Sequence, residues 1–276
     1  MRCPYCNSEM PDSVKFCTEC GATLNHAAVQ QQIRMAPAQK QARAAADSGL
    51  VLGAAARQAR METAVTQDQL VSPRVYNGVL LGVLLWGVLV NAVLCFTVGS
   101  VNRIMNPVVF AVLYVICAGA GILISHASDK PLFSFLGYNL VVLPFGLVIS
   151  TLVEAYGGPA SSLVAYAFLY TLVITVGMTG AALAFPELFS KLGGVLLGVL
   201  VGLVLCELLL LILRIPQTAT DWIVAALFSL YIGYDVYRSQ QFPRTVDNAV
   251  DCALDIYLDI ANLFIRILSI LAKKKD

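Results

Sequence analysis

Asn77 to Gly99 reads NGVLLGVLLWGVLVNAVLCFTVG, 23 residues without a charged side chain. About 20 apolar residues in a helix cross about 30 Å of hydrocarbon. In lipid the backbone must satisfy its own hydrogen bonds, so this stretch predicts a membrane-spanning helix. Working outward, the pattern recurs at 107–125, 132–153, 161–184, 192–213, 219–237 and 249–271, which makes seven expected spans. The breaks carry turn formers: Asn102-Arg103, Asn106-Pro107, Ser128-Asp129-Lys130-Pro131, Gly157-Gly158-Pro159, Pro186-Glu187, Ile215-Pro216 and Phe242-Pro243. Composition agrees, with 58% hydrophobic and 13% charged residues and a mean hydropathy of +0.77, against about 25% charged in an ordinary soluble domain. The expected fold class is all-α, a polytopic seven-helix transmembrane bundle with a small zinc ribbon at its N-terminal side. The lipid bilayer is its first partner.

Charge is unevenly placed. Fourteen of the 35 charged residues lie in 1–76, nine in the 156 residues from Asn77 to Ile232, and 12 in the last 44. The net charge of +1 gives no basic field for nucleic acid, and no nucleic-acid partner is expected. Residues 1–22 lack the apolar core of a secretion signal. No Gly-rich phosphate loop, Ser-His-Asp set or H-E-x-x-H motif is present, so the reading is of a protein that is not an enzyme.

Four of the eight cysteines form two C-x2-C knuckles, Cys3-Pro-Tyr-Cys6 and Cys17-Thr-Glu-Cys20. Each knuckle aims two thiolates at one point, and the two together supply four soft ligands for a tetrahedral zinc. No coordination position is left open, so the zinc is structural. A segment of 24 residues buries too little surface to fold unaided, and metal binding would supply most of its folding energy. The knuckles resemble short zinc ribbons at the N-termini of bacterial membrane proteins. The alternative, a redox C-x-x-C, needs no second knuckle.

Residues 25–75 are rich in Ala and Gln, with Arg34, Lys40, Arg43, Arg57 and Arg60 spaced along them. They read as a partly helical tether. Val51, Leu52 and Met61 give only a weak apolar face for gripping a lipid surface. The expected organisation is therefore ribbon 1–24, linker 25–75 and transmembrane domain 76–272.

Thiolate ligands suit a reducing cytosol. With the N-terminus there, the inner loops carry Arg57, Arg60, Arg74, Lys130, Lys191, Arg238 and Arg244, and the outer ones Arg103 and Arg214. The positive-inside rule supports a cytoplasmic N-terminus, in a bacterial inner (plasma) membrane. Lys273, Lys274 and Lys275 conflict with it, since seven spans place them outside. The last segment either crosses or re-enters, and crossing is the preferred reading. Gly193, Gly194, Gly198 and Gly202 offer small residues at a spacing of four, which predicts close helix packing.

In that last segment Asp251, Asp255, Asp259, Asn262 and Arg266 fall at offsets 0, 4, 8, 11 and 15. At about 100° per residue they share an arc of about 80°. A carboxylate at membrane depth is costly and tends to face a bundle interior or a water-filled cavity, so the stripe is the candidate functional face. The alternative is an interfacial helix with its stripe in water.

Gly233-Tyr234-Asp235, followed 24 residues later by the Asp of Ile256-Tyr257-Leu258-Asp259-Ile260-Ala261-Asn262-Leu263-Phe264, resembles the C-terminal signature of the Bax inhibitor-1 family. Lys130-Pro131-Leu132 and Thr175-Val176-Gly177-Met178 are similar to the same family, over about residues 76–272. The resemblance implies a seven-helix bundle with the last helix central and, as in bacterial members, a pH-dependent calcium leak. It also implies an aspartate pair that senses protons, at Asp235 and Asp259. One departure stands out. An acidic residue and an arginine associated with the second span in bacterial members have no counterpart in 107–125, which puts the family's gating latch in doubt.

Two carboxylates in a low-dielectric site do not readily both ionise, so such a pair titrates as one unit. Ca²⁺ prefers oxygen ligands and would compete with the shared proton as the transported ion. Asp255 and Asp251 would extend the path toward the cytosol, with Arg238 and Arg266 as counter-charges. Glu207 lies seven residues before Arg214, on the same face, and is either its partner at the outer interface or an outer ligand on the ion path. Two other readings stay open. A non-conducting scaffold would recruit a protein partner through the ribbon. An intramembrane aspartyl protease has a Tyr-Asp similar to Tyr234-Asp235, but its second aspartate sits in a G-x-G-D turn, where this chain has Ile256-Tyr257-Leu258 before Asp259.

Overall fold

A computed structural model describes residues 69–127, 130–213 and 218–274. Cys3, Cys6, Cys17, Cys20, nearly all of the linker, Arg214 and Lys275 lie outside the described residues. The elements run α1 (Pro73–Thr97), a 3-10 turn (Val101–Arg103), α2 (Pro107–Ala127), α3 (Pro131–Ala155), α4 (Ser162–Ala184), α5 (Pro186–Ser190), α6 (Gly193–Ile212), α7 (Thr218–Ser239) and α8 (Val246–Lys273). Among the described residues there is no strand. The seven long helices match the seven expected spans to within four residues at each end. The short α5 was marked in the sequence only as a break, at Pro186-Glu187.

Local chemistry sets the boundaries. Proline occupies the first helical position of α1, α3 and α5, where its missing N–H costs nothing. Ser72, Ser161 and Thr245 cap α1, α4 and α8 by accepting from the backbone N–H three residues on. Gly157 and Gly158, at φ of 98° and 83°, turn the chain between α3 and α4.

Successive long helices alternate in direction, so the molecule has two ends. Residues 69–72, Lys130, 185–192 and 240–245 lie at the first end; residues 98–106, 156–161, 213 and 274 lie at the second. α1, α2, α3 and α4 are each long and apolar enough to cross a membrane, and α6 is apolar over Gly193–Glu207. α7 and α8 carry charges and owe their place to packing.

α8 sits at the centre, packed against α1, α3, α4 and α7. Ala253, Tyr257, Leu263 and Leu268 are buried on it, as is Asp251. This removes the interfacial alternative, because such a helix would leave one face in water. Its 28 residues form one continuous helix, with no re-entrant turn. Close approach depends on Gly87 of α1, where a Cβ would collide with the Tyr138 hydroxyl and the Tyr257 ring. Those rings lie 5.9 Å apart, and Phe145 meets Tyr257 edge-on at 6.3 Å. Asn91 donates to the Tyr257 hydroxyl at 2.7 Å, and Tyr138 donates to the Val83 carbonyl at 2.9 Å.

The glycine stripe on α6 behaves differently from expectation. Gly194, Gly198 and Gly202 have nothing among the described residues within 4 Å of a Cβ position, whereas Gly193 meets Tyr234. α6 packs on α7 through its other side.

Candidate functional site

Tyr76 fixes the depth of the site. Its hydroxyl donates to the Ser239 carbonyl at 2.8 Å and reaches Cys252 Sγ at 3.5 Å, which sets the last residue of α7 level with Cys252 of α8. Asp235 lies four residues further in on α7 and Asp259 seven further in on the antiparallel α8. At about 1.5 Å per residue both carboxyls stand roughly 6–10 Å inside the bundle. There the Asp235 carboxyl stands within hydrogen-bonding reach of Asp259.

Asp259 is 7% exposed, and its Oδ2 has no partner among the described residues. The Asp235 side chain is 12% exposed, with Arg238 Nη1 at 4.0 Å from its Oδ1, one turn on. The guanidinium of Arg238 stands 5.2 Å from the centre of the Phe242 ring, which steadies it beside the carboxyl. Asp255, one turn toward the first end, places a third acidic group within electrostatic reach of Asp259. Tyr231 lies close enough to feel both Asp235 and Asp259. Among the described residues no three His, Cys, Asp or Glu side chains converge to hold a metal ion. The pair therefore offers a hard cation only part of the six to eight oxygens that Ca²⁺ takes in a tight site.

Asp251 belongs to a separate polar layer at the first end. It is 1% exposed and lies near Tyr76, whose hydroxyl also feels Arg244. In the same layer Ser134 of α3 donates to Asp247, Asn248 donates to the Pro243 carbonyl, and the Val71 N–H donates to the Arg244 carbonyl at 2.8 Å. The start of α1, the start of α3 and the α7–α8 turn are tied together there.

Arg266 does not serve the aspartate pair, as the sequence reading had it. Its guanidinium is bidentate across two helices at the second end, with Nη1 on Asp221 Oδ1 and Nη2 on Glu207 Oε2, both at 2.9 Å. The physical reason is distance: Arg266 follows Asp259 by seven residues, about 10 Å along α8. Lys273 adds a bond to Asp221 Oδ2 at 2.7 Å, and Ser269 donates to the same oxygen at 3.3 Å. Glu207 thus meets Arg266, while Arg214 lies outside the described residues. Asp221 went unnoticed in the sequence. The signal for it was Lys273, a positive charge at the end where charge bias disfavoured one.

With this geometry in hand, comparison with known proteins decides the family. The family model described as inhibitor of apoptosis-promoting Bax1 matches residues 69–276, three quarters of the chain. The chain belongs to the Bax inhibitor-1 family. A zinc-ribbon domain model matches residues 2–24. An uncharacterized protein of Campylobacter jejuni is 34% identical over 128 residues, 45% of this chain and 53% of its own length. Uncharacterized proteins of two Helicobacter pylori strains are 36% identical over 89 residues, 32% of this chain and 38% of theirs. The chain thus spans about half or less of the curated relatives it matches. The central α8 is what resemblance to the Bax inhibitor-1 family implied. The departure in the second span also has a structural counterpart: α2 carries no Asp, Glu, Lys or Arg and packs on α3 and the 3-10 turn, away from the aspartate pair.

Proposed function

We propose that this integral membrane protein is a pH-sensitive, calcium-permeable leak channel gated by Asp235 and Asp259. The observation that carries the reading is the approach of two carboxyls on adjacent helices inside an apolar bundle, close enough to share a proton. A hydrogen bond between carboxyls requires a proton on one of them. Removing it as pH rises leaves two anions facing each other in a medium where their repulsion is strong, which drives α7 and α8 apart or draws in a cation. Ca²⁺ is a hard divalent ion suited to that role, and an incomplete oxygen shell suits passage better than storage. Asp255 and Asp251 continue acidic character toward the first end, with Arg238 as counter-charge. The Glu207–Arg266–Asp221 cluster closes the second end.

In this reading the ribbon, residues 1–24, binds zinc through Cys3, Cys6, Cys17 and Cys20 and docks a protein partner or regulates the bundle. Residues 25–75 are the tether and 76–272 the bundle. The first end faces the cytoplasm of a bacterial cell, across the inner membrane. At the second end Arg103 pairs with Glu154 at 2.6 Å and Lys273 with Asp221; the basic residues there run against the positive-inside rule, and the earlier spans fix the orientation.

The test is Ca²⁺ flux from proteoliposomes across a pH series. Wild type is expected to show a sigmoidal pH profile whose midpoint moves to lower pH as Ca²⁺ is raised, because the cation competes with the proton. Asp235→Asn and Asp259→Asn should each flatten that profile, and the double variant should resemble the singles because the residues act as one unit. Asp251→Asn should leave the midpoint nearly in place. A wild-type profile in both single variants would put the gate elsewhere. Absence of flux under all conditions would favour the scaffold.

A further inference from the structure

α1 and α4 flank α8 on the same side without a packed interface between them, and a cleft of about 840 Å³ lies in the gap. Leu84 and Val88 form one wall, Leu172 and Val176 the other, and Ile256 and Ile260 of α8 the floor. It opens sideways between exposed Leu81 and Leu85 on α1 and exposed Phe168 and Val176 on α4, the surface that meets lipid. Its α1 wall runs from Asn77 to Phe96, about 29 Å of helix and so about the depth of the hydrocarbon layer. Spread over that length, the volume leaves a mean width of about 6 Å for the centre of a water-sized atom and about 9 Å from wall to wall, still below the roughly 10–12 Å of a helix with its side chains. An extended hydrocarbon chain, with carbon contacts at about 4 Å, fits.

The polar groups at the mouth of the cleft gather at the first end. Gln240 donates to the Asn77 side-chain oxygen at 3.1 Å and to Ser239 Oγ at 3.2 Å, leaving the Asn77 amide N–H₂ and the Gln240 carbonyl for another molecule. The second end of the cleft is lined by Phe96, Val153 and Pro159. We propose that this cleft binds one acyl chain of a membrane phospholipid, with the headgroup at Asn77 and Gln240 and the tail along Ile256 and Ile260. The chain supplies the apolar contact that α1 and α4 do not give each other. This site is independent of the calcium reading and stands or falls by lipid binding alone.

The test uses the full chain, reconstituted in a single defined phospholipid and returned to detergent for native mass spectrometry. Thr175→Phe and Thr179→Phe place a ring in the cleft, and Thr175 loses no bond by it, since its hydroxyl has no partner among the described residues. Gly198→Phe on α6, where a Cβ meets nothing among the described residues, is the control. Wild type and control are expected to retain one phospholipid per chain, and both cleft variants to retain at least fivefold less. Equal retention in cleft variants with wild-type melting temperatures overturns the proposal. So does wild type that carries no lipid, a bound fatty acid without a headgroup, or a second copy of the chain in place of lipid. If the cleft variants fail to fold, wild type alone decides through a phospholipid spin-labelled on its acyl chain and carried through the exchange into detergent, where boundary lipid is replaced and one motionally restricted chain per protein should remain. No restricted fraction refutes the site.

Discussion

Asp221 serves two cations and a hydroxyl with one carboxylate, and its side chain is only 4% exposed. Removing one partner of a buried ion pair costs about 3–5 kcal/mol, because the other charge is left uncompensated. Here Arg266 is 23% and Lys273 40% exposed, and Glu207 still holds Arg266, so water and that second carboxylate recover part of the loss. Asp221→Asn is expected to destabilise by about 2 kcal/mol, a fall in melting temperature of about 5 °C for a chain of this size, measured in detergent. Lys273→Ala should cost less than about 1 kcal/mol, as for other partly exposed pairs. Equal effects from the two substitutions would mean that Lys273, not Arg266, is the partner that matters.

At the level of the helices, the packing of α8 predicts which glycines matter. Gly87→Leu drives a side chain into the Tyr138 hydroxyl and the Tyr257 ring where α1, α3 and α8 meet, and overpacking of this kind costs about 1–3 kcal/mol. Gly194→Leu, on the open face of α6, should leave the melting temperature unchanged within about 1 °C, since nothing among the described residues lies within 4 Å of its Cβ position. The sequence would have ranked these the other way, because spacing reveals a stripe of small residues but not which surface it meets. The same limit separates what could be read of the site from what could not. Asp251, Asp255 and Asp259 lie on one helix, so periodicity alone aligns them. Asp235 came within reach only through its resemblance to a known signature. Asp221 and Arg266 are 45 residues apart on antiparallel helices, and their pairing depends on a register that no local pattern encodes. Seven helices were legible because each is bounded by a proline, a cap or a glycine turn; α5 was hidden inside one of those boundaries.

For the whole molecule the question is whether the bundle depends on the segment before it. Each long helix between Pro73 and Lys273 packs on another within the described residues, and the polar layer at the first end is tied from Val71 onward. A deletion that keeps Gln69 and Leu70 leaves the Val71–Arg244 bond and the Tyr76 anchor in place. Such a protein, lacking residues 1–68, should therefore melt within about 2 °C of the full chain. Its Ca²⁺ flux should remain measurable with the same pH midpoint, since Asp235 and Asp259 are carried and packed by helices of the described residues. The full chain should carry one zinc per molecule, released by a mercurial, and the truncated chain none. Cys17→Ser should lose the metal without altering the bundle's melting temperature, if zinc supplies folding energy to the ribbon alone. Two results would reverse the argument. A truncated protein that melts normally yet conducts nothing would make the ribbon part of the pathway. Loss of zinc that shifts the pH midpoint in the full chain would mean that the ribbon acts on the aspartate pair.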